Sequence, residues 1–177
     1  MTITEQEFLR AEVEDMNLTM KNEPFVNLAK SVSNYCKKFN AGSVIDFGCG
    51  TGVYSEVLRM DGYNIMAQDV FKSHRDYCKA QYPELSVIMK PKAAELMLFI
   101  EVAEHMTNEE IVTAIELIQP KVILFSSTPH TTENDLEWGH INIKQEDEWI
   151  EFWSTLGYKV LEKPQTPTSW TLTLERI

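Results

Sequence analysis

The chain has 177 residues, of which 44% are hydrophobic. That is enough to bury one substantial core and too few for two ordinary domains, so a single domain over 1–177 is expected. The formal net charge of -11 and a pI near 4.8 set extended nucleic acid aside as a partner, because binding along a phosphate backbone draws on clustered Lys and Arg. No run of about 18 apolar residues could span a bilayer, and the opening residues are acidic and amphipathic rather than basic and then apolar. A cytoplasmic protein without membrane attachment is expected. Cys36, Cys49 and Cys78 are odd in number and lack C-x-x-C spacing, which fits buried thiols better than a disulfide framework or a zinc knuckle.

The first 42 residues predict a helical extension of two helices. Leu9, Val13, Met16 and Met20 recur at helical spacing in the first. Phe25, Leu28, Ala29, Val32, Tyr35, Cys36 and Phe39 form the stripe of the second. From residue 43 the pattern changes to short apolar runs alternating with helical segments, the signature of a parallel sheet with crossover helices. Strands are expected near 43–47, 64–69, 85–89, 96–101 and 121–127, and helices near 53–61, 71–82 and 107–118. Lys72, Arg75 and Lys79 give the helix at 71–82 a local basic face, which reads first as solvated surface.

Thr107 followed by Glu110 fits a capping box at a helix start. The long polar stretch 128–144 holds His130, Trp138 and His140, and a loop of that length is expected to be functional, the wall of a ligand site. A helix near 145–156 follows, with Trp149, Phe152 and Trp153 at core spacing and Gly157 as its terminating glycine. Two extended segments, 158–163 and 169–176, should then pair as an antiparallel hairpin. The fold class expected for 43–177 is thus α/β, a Rossmann-like, doubly wound, mostly parallel sheet closed by that hairpin.

The run Val44-Ile45-Asp46-Phe47-Gly48-Cys49-Gly50-Thr51-Gly52 is an apolar strand passing into a glycine loop and then a helix. Glycines in such a turn let main chain approach a ligand where a Cβ would collide. The dinucleotide spacing G-x-G-x-x-G fails because Val53 stands in the third place. With an acid two residues before the first glycine, the run resembles the first motif of the class I S-adenosylmethionine-dependent methyltransferases, and the likeness extends over nearly all of 43–176. The resemblance implies that Gly48, Cys49, Gly50 and Gly52 line the donor, that Asp46 orders the loop or meets the donor ammonium, and that Asp69, ending the second strand, accepts from the ribose hydroxyls. Glu101, at the end of the fourth strand, joins the donor set. Members of that family usually carry an acid after the third strand to hold adenine; here Met89-Lys90-Pro91-Lys92 follows, and the helix expected next has little room.

Glu101, Glu104 and His105 follow one another at the carboxyl end of the fourth strand, where open α/β sheets place their ligands. The Glu-Val-Ala-Glu-His run, with His140 further on, is similar to the acidic-histidine set of metal-assisted O-methyltransferases. That likeness implies a site for Mg²⁺, Mn²⁺ or Zn²⁺ built from Glu101, Glu104, His105 and His140, with the ion activating an acceptor hydroxyl. A metal-free alternative makes His140, His105 or His130 a general base, since imidazole titrates near working pH. The activity expected is methylation of a small-molecule or glycan hydroxyl. Two other readings stand beside it: a donor-binding or partner-binding module without turnover, and a nicotinamide oxidoreductase on a similar sheet.

Overall fold

A computed structural model describes residues 3–129 and 138–177. Helix α1 (Glu5–Arg10) opens with a capping box between Thr4 and Glu7 and continues into a π turn, Ala11–Asp15. In that turn the Met16 N–H reaches back to the Ala11 carbonyl. Asn17 then takes a left-handed φ of 52° and stops the helix. The predicted first helix is therefore shorter than its apolar stripe. Met20 lies beyond the break and packs from a turn against the apolar clusters that hold Val32 and Val53. Helix α2 (Glu23–Cys36) is capped by Asn22 and passes into a 3-10 turn, Lys37–Phe39.

The remaining elements alternate. They are β1 (Val44–Phe47), α3 (Val53–Met60), β2 (Ile65–Gln68), α4 (Lys72–Gln81), β3 (Ser86–Ile88), β4 (Leu96–Ile100), a 3-10 turn (Ala103–His105), α5 (Asn108–Ile118), β5 (Val122–Ser126), α6 (Glu146–Thr155), β6 (Tyr158–Glu162) and β7 (Leu172–Arg176). Thr107 and Glu110 do form the capping box that starts α5. No helix lies between β3 and β4, in keeping with the short connection.

The strands make one seven-stranded sheet in the order β3-β2-β1-β4-β5-β7-β6. Strands β1 to β5 are parallel, β7 runs antiparallel to β5, and β6 pairs antiparallel with β7. The fold is the Rossmann-like, mostly parallel sheet with a closing hairpin that the alternation implied. Because side chains alternate across a strand, the sheet sorts its residues onto two faces. Ile45, Phe47, Met97, Phe99, Ile123 and Phe125 pack under α5 and α6, while Val44, Ile65, Ala67, Leu96, Leu98 and Leu124 pack under α2, α3 and α4. Strand order reverses between β1 and β4, and at such a switch point the loops leaving the two strands diverge and open a crevice. Among the described residues, no helix is long and apolar enough to cross a membrane.

Trp153 is fully buried and stands edge-on to Phe99, Phe125 and Tyr158. The three large aromatics of α6 serve the core. Trp153→Ala should cost about 3–5 kcal/mol of unfolding free energy, measurable by urea denaturation. A loss under about 1 kcal/mol would mean that this layer is not the centre of the core.

Candidate functional site

The loop after β1 is pinned to the end of β2. The N–H groups of Gly48 and Cys49 both donate to the Gln68 carbonyl, each at 2.9 Å, and the Gly50 N–H donates to Asp69 Oδ2 at 3.0 Å. Asp69 also accepts from the Phe71 N–H through Oδ1 at 2.8 Å. Asp46 faces the α3 side of the sheet and accepts from Ser55 Oγ at 2.6 Å, closing the loop onto the first turn of α3. Burial pushes the Asp46 carboxyl up to about 6, with the Ser55 hydrogen bond resisting.

The glycines are not equivalent. A Cβ at Gly48 would sit 2.6 Å from Val102 Cγ2, and one at Gly52 would sit 2.7 Å from Cys78 Sγ. At both places it is the protein's own packing that demands bare main chain, whereas the sequence reading turned the whole loop toward a ligand. All three glycines hold a positive φ, but Gly50 differs in what it faces: a Cβ there would meet the Glu12 carboxylate at 3.2 Å, the end of a flexible side chain. The Cys49 thiol is buried and held well above its ordinary pKa by its hydrogen bond with Cys78 and by burial, which makes it an inert filler.

Glu12 arrives from the N-terminal extension, which lies across this end of the sheet. Phe8 of α1 stands 5.2 Å from the Trp138 ring, 5.8 Å from His105 and from His74, and 6.1 Å from Phe71, centroid to centroid. Ser73 at the start of α4 donates to the Glu5 carbonyl and carboxylate. Glu12 Oε2 is 3.0 Å from His74 Nε2, and His74 is only 1% exposed. Burial works to lower the His74 pKa, but the Glu12 hydrogen bond and charge, with Asp69 and Glu5, hold it above its ordinary value. Glu12 and His74 escaped the sequence reading, since no spacing pairs residues 62 apart.

At the other side of the crevice β4 ends in Glu101, a non-glycine residue at φ 53°. Its N–H donates to the Ser126 carbonyl, and its carboxylate accepts from Ser126 Oγ at 2.7 Å. The 3-10 turn then presents Glu104, 1% exposed, which accepts from Ser127 Oγ at 3.0 Å. The Glu104 carbonyl in turn accepts from the N–H groups of Ile141 and Asn142, tying the segment that carries His140 to this turn. The His105 and His140 rings meet edge to face at 4.6 Å. One ligand atom from each of Glu104, His105 and His140 lies within 4.8 Å of the others. Glu101 is not one of those three, but its charge, after burial, helps push Glu104 up to about 8. Burial, and then the charge of His140, drives His105 down to about 4. His130 lies outside the described residues.

A family model described as a methyltransferase domain matches residues 20–163. Similar proteins include a ubiquinone biosynthesis O-methyltransferase of Rickettsia bellii (strain OSU 85-389), 28% identical over 103 residues, which covers 51% of this chain and 43% of the relative. The protein of that name from Rickettsia prowazekii (strain Madrid E) is 25% identical over 150 residues, covering 77% of this chain and 59% of the relative. The chain thus spans about half the length of these relatives. In fold it is similar to magnesium protoporphyrin IX methyltransferase from Synechocystis PCC 6803 with bound SAH, at a TM-score of 0.64 and 16% identity, over 86% of this chain and 83% of that one.

The Glu12–His74 contact makes the docking of the N-terminal helix pH-dependent. The folded pKa of His74 is raised above its ordinary 6.5, so its contribution is complete below about pH 6.5 and is lost as pH rises through the folded value. Urea unfolding of the wild type and His74→Gln should therefore differ most near about pH 6 and converge toward about pH 9. A constant or widening gap would contradict a charged pair.

Proposed function

The chain belongs to the methyltransferase domain family, and on that premise we propose that it binds S-adenosylmethionine over the loop after β1 and methylates a hydroxyl of a small-molecule or sugar acceptor. The donor, when bound, supplies a methyl group on a positively charged sulfur, and its transfer is an in-line displacement that asks chiefly for alignment. Support on the donor side comes from the crevice at the strand-order switch and from Asp69. The two oxygens of Asp69 are anchored by backbone N–H groups and keep further lone pairs for hydroxyl donors. Adenine, for which no acid follows β3, is given apolar walls by Val70 and Met89. These are 72% and 51% exposed and follow the neighbouring strands β2 and β3.

The observation that carries the acceptor side is the convergence of Glu104, His105 and His140 within 4.8 Å beside the carboxyl end of β4. A carboxylate and two imidazoles are a fitting set for Mg²⁺, Mn²⁺ or Zn²⁺, with Glu101 adjoining. Such an ion, when bound, lowers the pKa of a coordinated hydroxyl. Burial lowers the His105 pKa to about 4, so the ring is neutral at working pH, the form that ligates, and is too weakly basic to serve well as a general base. His140 is the remaining candidate base in the described site. Phe8 packs edge to face on Trp138 and on His105, giving the site an aromatic side. The O-methyltransferase relatives support oxygen as the acceptor atom. A second reading, a donor-binding or partner-binding module without turnover, is favoured by the lack of an acid after β3, where Met89-Lys90-Pro91-Lys92 follows. Turnover with any acceptor decides against it.

Asp69→Ala should weaken S-adenosylhomocysteine binding at least about tenfold, the worth of a charge-assisted hydrogen bond, with an unchanged circular dichroism spectrum. Unchanged affinity in calorimetry would contradict the donor placement. Glu104→Ala and His140→Ala should each reduce metal-stimulated methylation of a phenol, catechol or sugar panel by about 10–100-fold or more. Full wild-type activity in excess chelator would remove the metal and leave the donor site standing.

A further inference from the structure

Three features of the N-terminal extension converge on one atom group. The π turn at Ala11–Asp15 re-aims one residue relative to a regular helix, a distortion often found where a side chain must be placed for function. The residue it carries is Glu12. Its Oε2 is held by the buried His74, while Oε1 lies toward Gly50, 3.2 Å from where a Cβ would be. Gly50 is also the residue whose N–H is bound by Asp69. Two carboxylates thus flank the same bare stretch of main chain; the Asp69 carboxyl is raised above its ordinary range mainly by burial, with His74 opposing the rise and Glu12 adding to it.

Two carboxylates that border the same glycine, already held by backbone N–H groups and by His74, keep lone pairs for further donors, and a vicinal diol has the right chemistry. It brings two neutral O–H donors on adjacent carbons and no charge, so each carboxylate gains a charge-assisted hydrogen bond without a counterion. A phosphate would be repelled here. Resting on the donor reading above, we propose that Glu12 is a second ribose-binding residue, so that the diol of the donor is clamped between Asp69 from β2 and Glu12 from the N-terminal helix. His74 holds the Glu12 carboxylate in place, and donor binding then also fastens the N-terminal helix to the sheet.

The clamp has a signature that a helix merely covering the crevice lacks. S-adenosylhomocysteine and its 2′-deoxy and 3′-deoxy analogues are titrated calorimetrically into the wild type, Glu12→Gln and Glu12→Ala, with unfolding curves to verify folding. The wild type should bind each analogue about tenfold or more weakly than the parent. Glu12→Ala should lose about tenfold for the parent and discriminate against only one of the two analogues, the other hydroxyl having lost its partner. Glu12→Gln, whose amide oxygen still accepts, should fall between. Tighter binding by Glu12→Ala would make Glu12 a competitor for the diol's place and overturn the proposal, as would unchanged affinity or an unchanged penalty for both analogues. Should the wild type fail to bind S-adenosylhomocysteine at all, the donor reading itself falls; wild-type binding that Glu12 does not influence overturns the clamp alone.

Discussion

The left-handed loop between β1 and α3 could not keep its shape on glycines alone, because residues free to adopt positive φ are equally free to leave it. What holds it is the end of the neighbouring strand. Gln68 accepts two loop N–H groups through its carbonyl, and Asp69 accepts a third through its carboxylate. Asp46 and Ser55 add the tie to α3 from beneath. These contacts are buried, where a hydrogen bond left unmade is costly, so the loop, the end of β2 and the start of α3 form one rigid unit. The proposed placement of the donor depends on that rigidity.

Val102 links this unit to the other half of the crevice. Its methyls fill the space a Gly48 side chain would need, which presses the turn after β4 against the glycine loop. The same turn presents Glu101 on one side of Val102 and Glu104 and His105 on the other. Distance between the glycine loop and the polar cluster is therefore set by a van der Waals contact between two residues, a constraint far stiffer than a flexible connection. Preorganisation of this kind suits a reaction whose main demand is alignment.

The polar cluster is held as firmly from outside. Ser127 and the N–H groups of Ile141 and Asn142 bind the side chain and carbonyl of Glu104. The segment carrying His140 is thereby stitched to the turn carrying Glu104 and His105. Burial then separates the charges of the set, keeping His105 neutral and Glu104 hard to ionise. Carboxylates and imidazoles driven from their ordinary pKa values in a crevice are the expected mark of a functional site.

The alternation of apolar runs, the capping box at Thr107 and Glu110 and the glycine after α6 were all legible in the chain, because each depends on residues close in sequence. That sufficed for the sheet, its closing hairpin and the general location of the loop, and nearly every element lies within a residue or two of expectation. Only tertiary structure could reveal that Gly48 and Gly52 answer to Val102 and Cys78, or that Glu12 pairs with His74. It also decided that the first helix stops at Asn17, where a left-handed residue overrides an apolar stripe continuing to Met20. Local periodicity encodes which face of an element is buried; which distant side chain meets that face depends on how the chain closes in space, and no spacing records it.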